Sequence, residues 1–217
     1  MNVISFRAVK LFSVVNKLAK EKNISFATVA NDITDIDKVI HVGINASMAG
    51  SMAAEILELS SRGRDVALLV ASQSSPINIE YINGFIEYSQ GSLFSSISIY
   101  EHYDDEEKIA EATKRMLDEN PNLGGVYMAT ASSNFACKCL ESLKAPRLHI
   151  VTTDLLSDTL KLLKSKLADA AIFQNPFKQG KNVVRLLYNY IISGSDAGTH
   201  LISPHILLSS NIESYIF

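Results

Sequence analysis

The chain of 217 residues alternates between short apolar runs and amphipathic segments along almost its whole length. The apolar runs are typical of strands buried on both faces, and the amphipathic segments have helical spacing. The predicted strands are Asn2–Phe6, Ile24–Ala30, Val39–Gly43, Asp65–Ala71, Phe94–Tyr100, Gly125–Ala129, His149–Thr153, Ala170–Phe173 and one within Thr199–Ser209. The predicted helices are Val9–Lys22, Ala46–Ser61, Asn78–Gln90, Glu106–Asn120, Ser133–Leu143, Ser157–Ser165 and Gln179–Ser193. This order predicts an α/β fold with parallel sheets covered on both faces.

Composition narrows the class of protein. A hydrophobic content of 47% is enough for a substantial core, and a formal net charge of −3 argues against a nucleic-acid surface in this segment. No apolar run is long enough to span a bilayer, so no membrane partner is expected. The first residues lack the pattern of a signal peptide, and Cys137 and Cys139 suit a reducing compartment. These observations predict a cytoplasmic protein.

Polar residues follow several of the predicted strands. Asp154 follows the strand His149–Thr153, and Gln174 follows Ala170–Phe173. Side chains at the carboxyl ends of parallel strands face the ligand crevice of an open α/β sheet. A carboxylate and an amide at the same sheet edge suit hydrogen bonding to a polyhydroxylated small molecule better than they suit bond-breaking chemistry.

Each strand-end residue also has a purely structural interpretation. Asp154 either binds ligand hydroxyls or caps the helix that begins at Ser157. Gln174 either binds a ligand hydroxyl or satisfies backbone groups where the chain crosses over after its strand. Asn31 and Asp32 either face the ligand or form an Asx turn after their strand.

Two further positions are candidate ligand-binding residues. Tyr127 and Thr130 lie at a strand end and are candidates for the lining of the cleft, although core packing is favoured for Tyr127.

No feature of the sequence indicates catalysis. No glycine-rich phosphate loop follows a strand, and the five histidines are scattered without a recognisable nucleophile motif. The spacing of Cys137 and Cys139 directs the two thiols away from a shared metal. We therefore expect no catalytic residue, no metal and no cofactor, and we do not expect an enzyme.

The order of several local motifs resembles the ligand-binding core of LacI-type transcription regulators and of the related type I periplasmic sugar-binding proteins. The motifs that carry this resemblance are Val29–Ile33, His41–Asn45, Ala49–Gly50, Ala53–Leu57, Gly84–Phe85, Gly125–Tyr127, Thr152–Asp154, Ile172–Pro176 and Gln179–Gly180. The chain departs from the family pattern at Tyr81, where arginine is usual, and at Asn45, where aspartate is common. The resemblance makes Tyr81 a further candidate ligand-binding residue, which either stacks on a sugar ring or packs as an ordinary surface aromatic.

The resemblance implies two Rossmann-like lobes with parallel sheets, a periplasmic binding protein type I-like fold. The expected amino-terminal lobe spans residues 1–62 plus 175–198, and the carboxy-terminal lobe spans 63–174 plus 199–217. The first lobe is expected to be incomplete, because its first two β-α units have no counterpart here. The DNA-binding headpiece of the regulators has no counterpart either.

The function implied by the resemblance is effector binding in a LacI-type transcriptional regulator, acting by ligand-induced lobe closure. The expected effector is a sugar or a sugar derivative, the expected assembly is a homodimer, and DNA would be bound only through a headpiece absent from this chain. The alternative is an exported solute-binding protein or a sensor ectodomain of the same fold.

Overall fold

The structure is a computed structural model that describes residues 9–33 and 36–215. The helices are α1 (Val9–Lys22), α2 (Ala46–Ser60), α3 (Pro76–Ser89), α4 (Glu106–Glu119), α5 (Ser133–Ser142), α6 (Ser157–Lys164) and α7 (Pro176–Ser193). The strands are β1 (Phe26–Val29), β2 (Lys38–Ile44), β3 (Asp65–Val70), β4 (Ser96–Glu101), β5 (Leu123–Ala129), β6 (His149–Thr153), β7 (Ala170–Phe173), β8 (Gly198–Ile202) and β9 (His205–Leu207). The predicted strand Asn2–Phe6 lies outside the described residues.

The chain divides into two units. The smaller unit contains the described residues up to Ile44 together with Pro176–Ile202. Its sheet has three parallel strands in the order β1-β2-β8. Helix α7 packs on β1 and β2, and Leu186 of this helix meets Ile40 and Val42 in the core.

The larger unit contains Asn45–Asn175 and the described residues from Ser203 onward. Its six-stranded sheet has the order β4-β3-β5-β6-β7-β9, and only the β7–β9 pair is antiparallel. Every residue of β5 is buried, as expected for a central parallel strand with both faces covered. The predicted α/β class with parallel sheets is confirmed.

Helix α2 lies in the larger unit, whereas the sequence places residues 45–62 in the first lobe. The reason is a very close crossing of α2 and α3. A Cβ atom added to Gly84 would lie 1.9 Å from the carbonyl oxygen of Ser47, and one added to Gly50 would lie 2.0 Å from that of Tyr81. The Ser51 hydroxyl also donates a 2.9 Å hydrogen bond to the carbonyl oxygen of Gly84. Two glycines thus let the helix backbones touch.

The tail also differs from the prediction. The sequence predicts one strand within Thr199–Ser209, whereas the structure has two, with Pro204 between them. Strand β8 belongs to the smaller unit and β9 to the larger unit. The proline, which lacks a backbone N–H, sits where the chain leaves one sheet for the other.

Candidate functional site

Asp154 and Gln174 meet at the carboxyl edge of the larger sheet. Strands β6 and β7 are neighbours, and each residue follows the last residue of its strand. The Gln174 amide nitrogen donates a 2.8 Å hydrogen bond to Oδ2 of Asp154. The backbone of Asp154 adopts a φ of 68°, a left-handed conformation that aspartate tolerates better than most residues. The predicted meeting of a carboxylate and an amide is therefore present.

The capping alternative for Asp154 is wrong. The residue at the N-cap position of α6 is Leu156, and no side chain caps this helix. The backbone N–H of Asp154 instead donates to the carbonyl oxygen of Ile172, at 2.9 Å. The side chain of Asp154 therefore does not cap this helix.

Burial dominates the electrostatics of Asp154. Loss of solvation raises the pKa of this carboxyl to about 6, and hydrogen bonds from Gln174 only partly oppose the effect. Near pH 7 the group is a charged, poorly solvated acceptor. Donors supplied by a ligand hydroxyl would replace the hydration that the fold has removed.

Tyr127 is a core residue at the end of β5. It is fully buried, and its ring stacks on Phe85 with centroids 6.1 Å apart. The Thr153 hydroxyl donates a 3.2 Å hydrogen bond to the Tyr127 oxygen. Burial raises the pKa of Tyr127 far above its ordinary value. These contacts support the packing interpretation and connect Tyr127 to the residue that precedes Asp154.

Tyr81 is not the surface aromatic that one prediction describes. Only 3% of the residue is exposed, and its ring stands edge-on to Tyr127 with centroids 6.2 Å apart. A ring this enclosed has no open face for stacking on a sugar. Its hydroxyl oxygen is buried and has no hydrogen-bond partner among residues 9–33 and 36–215.

Thr130 follows β5 at the same sheet edge and is 6% exposed. Its hydroxyl oxygen accepts a 3.1 Å hydrogen bond from the backbone N–H of Ser132. This bond organises the turn that leads into α5. Thr130 therefore has a structural task at this edge.

Asn31 and Asp32 belong to the smaller unit, where both are exposed. Asp32 Oδ1 lies 2.8 Å from the Lys38 ammonium and 3.7 Å from Nδ1 of His41. His41 is 4% exposed, and its pKa is lowered, mainly by burial. Lys38 and His41 were not predicted as neighbours of Asp32. Their places on β2, paired in parallel with β1, are the signal that could have identified them.

Comparisons with known proteins identify the family of the chain. A family model described as "Periplasmic binding protein domain" matches residues 5–195. The chain belongs to this family. The matched family is one of binding proteins rather than of enzymes. No curated protein sequence matches the chain.

Several solved structures share the fold of this periplasmic binding protein domain. The glucose-galactose binding protein GanP of Geobacillus stearothermophilus has a TM-score of 0.80 at 21% identity, over 94% of this chain and 74% of that protein. The arabinose binding protein AraP of the same organism has a TM-score of 0.83 at 18% identity, over 96% and 76%. A chain of the XylFII–LytSN complex has a TM-score of 0.76 at 23% identity, over 93% and 73%. The predicted type I-like fold class is thus confirmed.

Two surface depressions of this periplasmic binding protein domain lie at the opposite edge of the larger sheet. They measure about 280 and 300 Å³, and Ala145 and Pro146 line both. Leu123 at the start of β5 lines one, and Leu148 just before β6 lines the other. None of the predicted ligand-binding residues lines either depression, so neither depression is the candidate ligand site.

Other chemistry is limited in this domain. No group of three or more His, Cys, Asp or Glu side chains in the described part of the chain could hold a metal ion. None of the described helices is long and apolar enough to cross a membrane. Burial raises the pKa of Cys137 to about 12, so this thiol is a poor nucleophile at neutral pH.

Proposed function

We propose that this chain is the sugar-binding domain of a solute-binding protein, which is the function that the sequence analysis ranks second. The observation that carries the proposal is the contact between Asp154 and Gln174 at the carboxyl edge of the larger sheet. Similarity to GanP and AraP, which are named for monosaccharide binding, supports it over a regulator.

The chemistry of the pair suits a polyol. An ionised carboxylate has two oxygens that together accept several hydrogen bonds, so adjacent hydroxyls of one sugar can both donate to Asp154. The amide of Gln174 already donates to one of these oxygens and restrains the carboxylate. Such charge-assisted hydrogen bonds are roughly twice as strong as neutral ones.

A thermal-shift and calorimetric titration with D-glucose, D-galactose, L-arabinose and D-tagatose tests the proposal. At least one sugar should raise the melting temperature of the wild-type chain, because a ligand that binds only the folded state stabilises it. Asp154→Ala should lose the effect. Asp158→Ala is the matched control, because Asp158 is an exposed carboxylate on the next helix and pairs with Lys161. If none of these sugars binds the wild-type chain, the proposal is refuted.

The second candidate is a domain that transmits sugar binding to a protein partner, either in a LacI-type regulator or in a sensor ectodomain. An apolar flank on α7 favours it. Val184, Tyr188, Ile191 and Ile192 are 64–69% exposed although α7 already packs on the sheet through its other side. A helix that is apolar on two sides usually has two neighbours.

The kind of partner separates the possibilities within this second candidate. A regulator core would form a homodimer in the cytoplasm. It would bind DNA only through a headpiece, as predicted from the sequence. A sensor ectodomain would bind a different protein chain, as XylFII does in its complex with LytSN. Sizing of the purified chain with and without the sugar separates them: a concentration-dependent dimer favours the regulator, and a strict monomer removes the homodimer.

A further inference from the structure

We propose that the buried hydroxyl of Tyr81 is a ligand-directed hydrogen-bond donor, beside the Asp154 carboxylate that restricts the site to uncharged sugars and rejects sugar acids. The inference rests on the proposed sugar-binding function. It concerns the hydroxyl, and therefore differs from the stacking role that the sequence analysis considers for the ring of Tyr81.

The first support is the missing partner of the hydroxyl. Tyr81 is 3% exposed, and its oxygen has no hydrogen-bond partner within the described residues. A buried hydroxyl without a partner costs about 1–3 kcal/mol. The hydroxyls of Ser61, Thr113 and Ser133 are also buried without a partner among the described residues, so the position of Tyr81 near Asp154 is what points to a ligand. A ligand oxygen that accepts from this hydroxyl would remove the cost only in the bound state.

The second support is the position of Tyr81 relative to the Asp154 carboxylate. The Tyr81 ring touches Tyr127, whose oxygen lies 3.2 Å from the hydroxyl of Thr153, the residue directly before Asp154. Burial raises the pKa of Tyr81 far above its usual range, and the charge of Asp154 adds to that effect. The phenol thus remains protonated and lies within the electrostatic reach of the carboxylate.

The third support is the rigid placement of the tyrosine. The carbonyl oxygen of Tyr81 lies 2.0 Å from where a Cβ on Gly50 would be, so α2 backs directly onto this residue. The Tyr127 ring, nearly perpendicular to that of Tyr81, also contacts it. A donor held in place by packing loses little conformational entropy on binding, which favours a role in recognition.

The fourth support is the sign of the surrounding charge. Asp154, Tyr127 and Glu80 all raise the pKa of Tyr81. In the described part of the chain, burial and hydrogen bonds from Gln174 account for the pKa of Asp154 without a neighbouring cation. An anionic ligand would be repelled by the partly buried Asp154 carboxylate, which is unfavourable. Neutral hydroxyl and ring oxygens meet no such penalty.

The experiment measures sugar affinity and melting temperature for the wild-type chain and for Tyr81→Phe. The sugars are the matched pairs D-galactose with D-galacturonate and D-glucose with D-glucuronate. Removal of the hydroxyl should weaken binding of the neutral sugar about fivefold to tenfold, the usual value of one hydrogen bond. The melting temperature without sugar should stay the same or rise, because no hydrogen bond is lost on folding. The uronates should bind the wild-type chain at least about tenfold more weakly than the neutral sugars.

Two tyrosine variants serve as controls. Tyr88→Phe lies on the same helix and removes a hydroxyl that donates a 3.0 Å hydrogen bond to Glu58, so it should leave sugar affinity unchanged. Tyr127→Phe removes the hydroxyl contacted by Thr153 and should lower the melting temperature, unlike Tyr81→Phe.

The outcomes separate this inference from the proposed function. Equal sugar affinity in wild type and Tyr81→Phe, or uronates that bind as tightly as the neutral sugars, would overturn the inference while the proposed function stands. A wild-type chain that binds no sugar of the panel would overturn both. A lower melting temperature of Tyr81→Phe without sugar would assign the hydroxyl to the stability of the fold and would also contradict the inference.

Discussion

Replacement of Asp154 by asparagine should stabilise the folded chain while it weakens sugar binding. Burial raises the pKa of Asp154 from its ordinary value of 3.8 to about 6. One pKa unit corresponds to about 1.36 kcal/mol, so the ionised side chain costs the folded state up to about 3 kcal/mol at pH 7. Asparagine has no charge to desolvate, accepts the same hydrogen bond from Gln174 and tolerates the left-handed backbone. We expect a net gain of about 1–3 kcal/mol.

The sign of the pH dependence makes this prediction specific. The folded state binds a proton more tightly than the unfolded state at Asp154, so protonation removes the cost as the pH falls from about 6 towards 3.8. The stability difference between Asp154→Asn and wild type should therefore be full at pH 7 and small at pH 4. Urea unfolding at several pH values, with both proteins compared at each pH, measures this difference.

A control separates burial of the charge from its mere removal. Asp158→Asn removes an exposed carboxylate whose pKa is lowered, mainly by its hydrogen bond with Lys161. This variant should not gain stability at any pH. If Asp154→Asn destabilises the chain equally at pH 7 and pH 4, the carboxylate supports the fold, and the reasoning that assigns it to a ligand is wrong.

Two further predictions concern packing and acid stability. Gly84→Ala should destabilise the larger unit by about 1–3 kcal/mol in urea, because the new methyl group meets the Ser47 backbone; Gly91→Ala, with no atom within 4 Å of its Cβ, should be neutral, and equal effects would contradict the close crossing. Burial lowers the pKa of His102, so its contribution to stability is lost as the pH falls below its ordinary value of 6.5. His102→Asn should reduce the loss of unfolding free energy that accompanies a fall in pH below 6.5. If the pH dependence of the unfolding free energy is unchanged in this variant, His102 is not its source.

The architecture of the chain follows from its pattern of apolar and polar residues. Strands that are apolar on both faces require covering layers, and their alternation with helices leaves parallel sheets as the solution. Chain order then places the residues after β6 and β7 at one sheet edge, which is why Asp154 and Gln174 could be paired from the sequence. These relations depend on local periodicity and connectivity, both of which are readable along the chain.

The tertiary structure decided the features that depend on close contact between distant segments. Two glycines allow α2 and α3 to touch, and that contact puts α2 in the larger unit rather than in the first lobe. Tyr81 of α3 is buried against Tyr127 of β5, and its hydroxyl has no partner in the described residues. Burial of a single atom depends on the packing of segments far apart in the chain. The family resemblance therefore pointed to Tyr81 as a candidate ligand position, but it could not predict the unpartnered hydroxyl on which the proposed role depends.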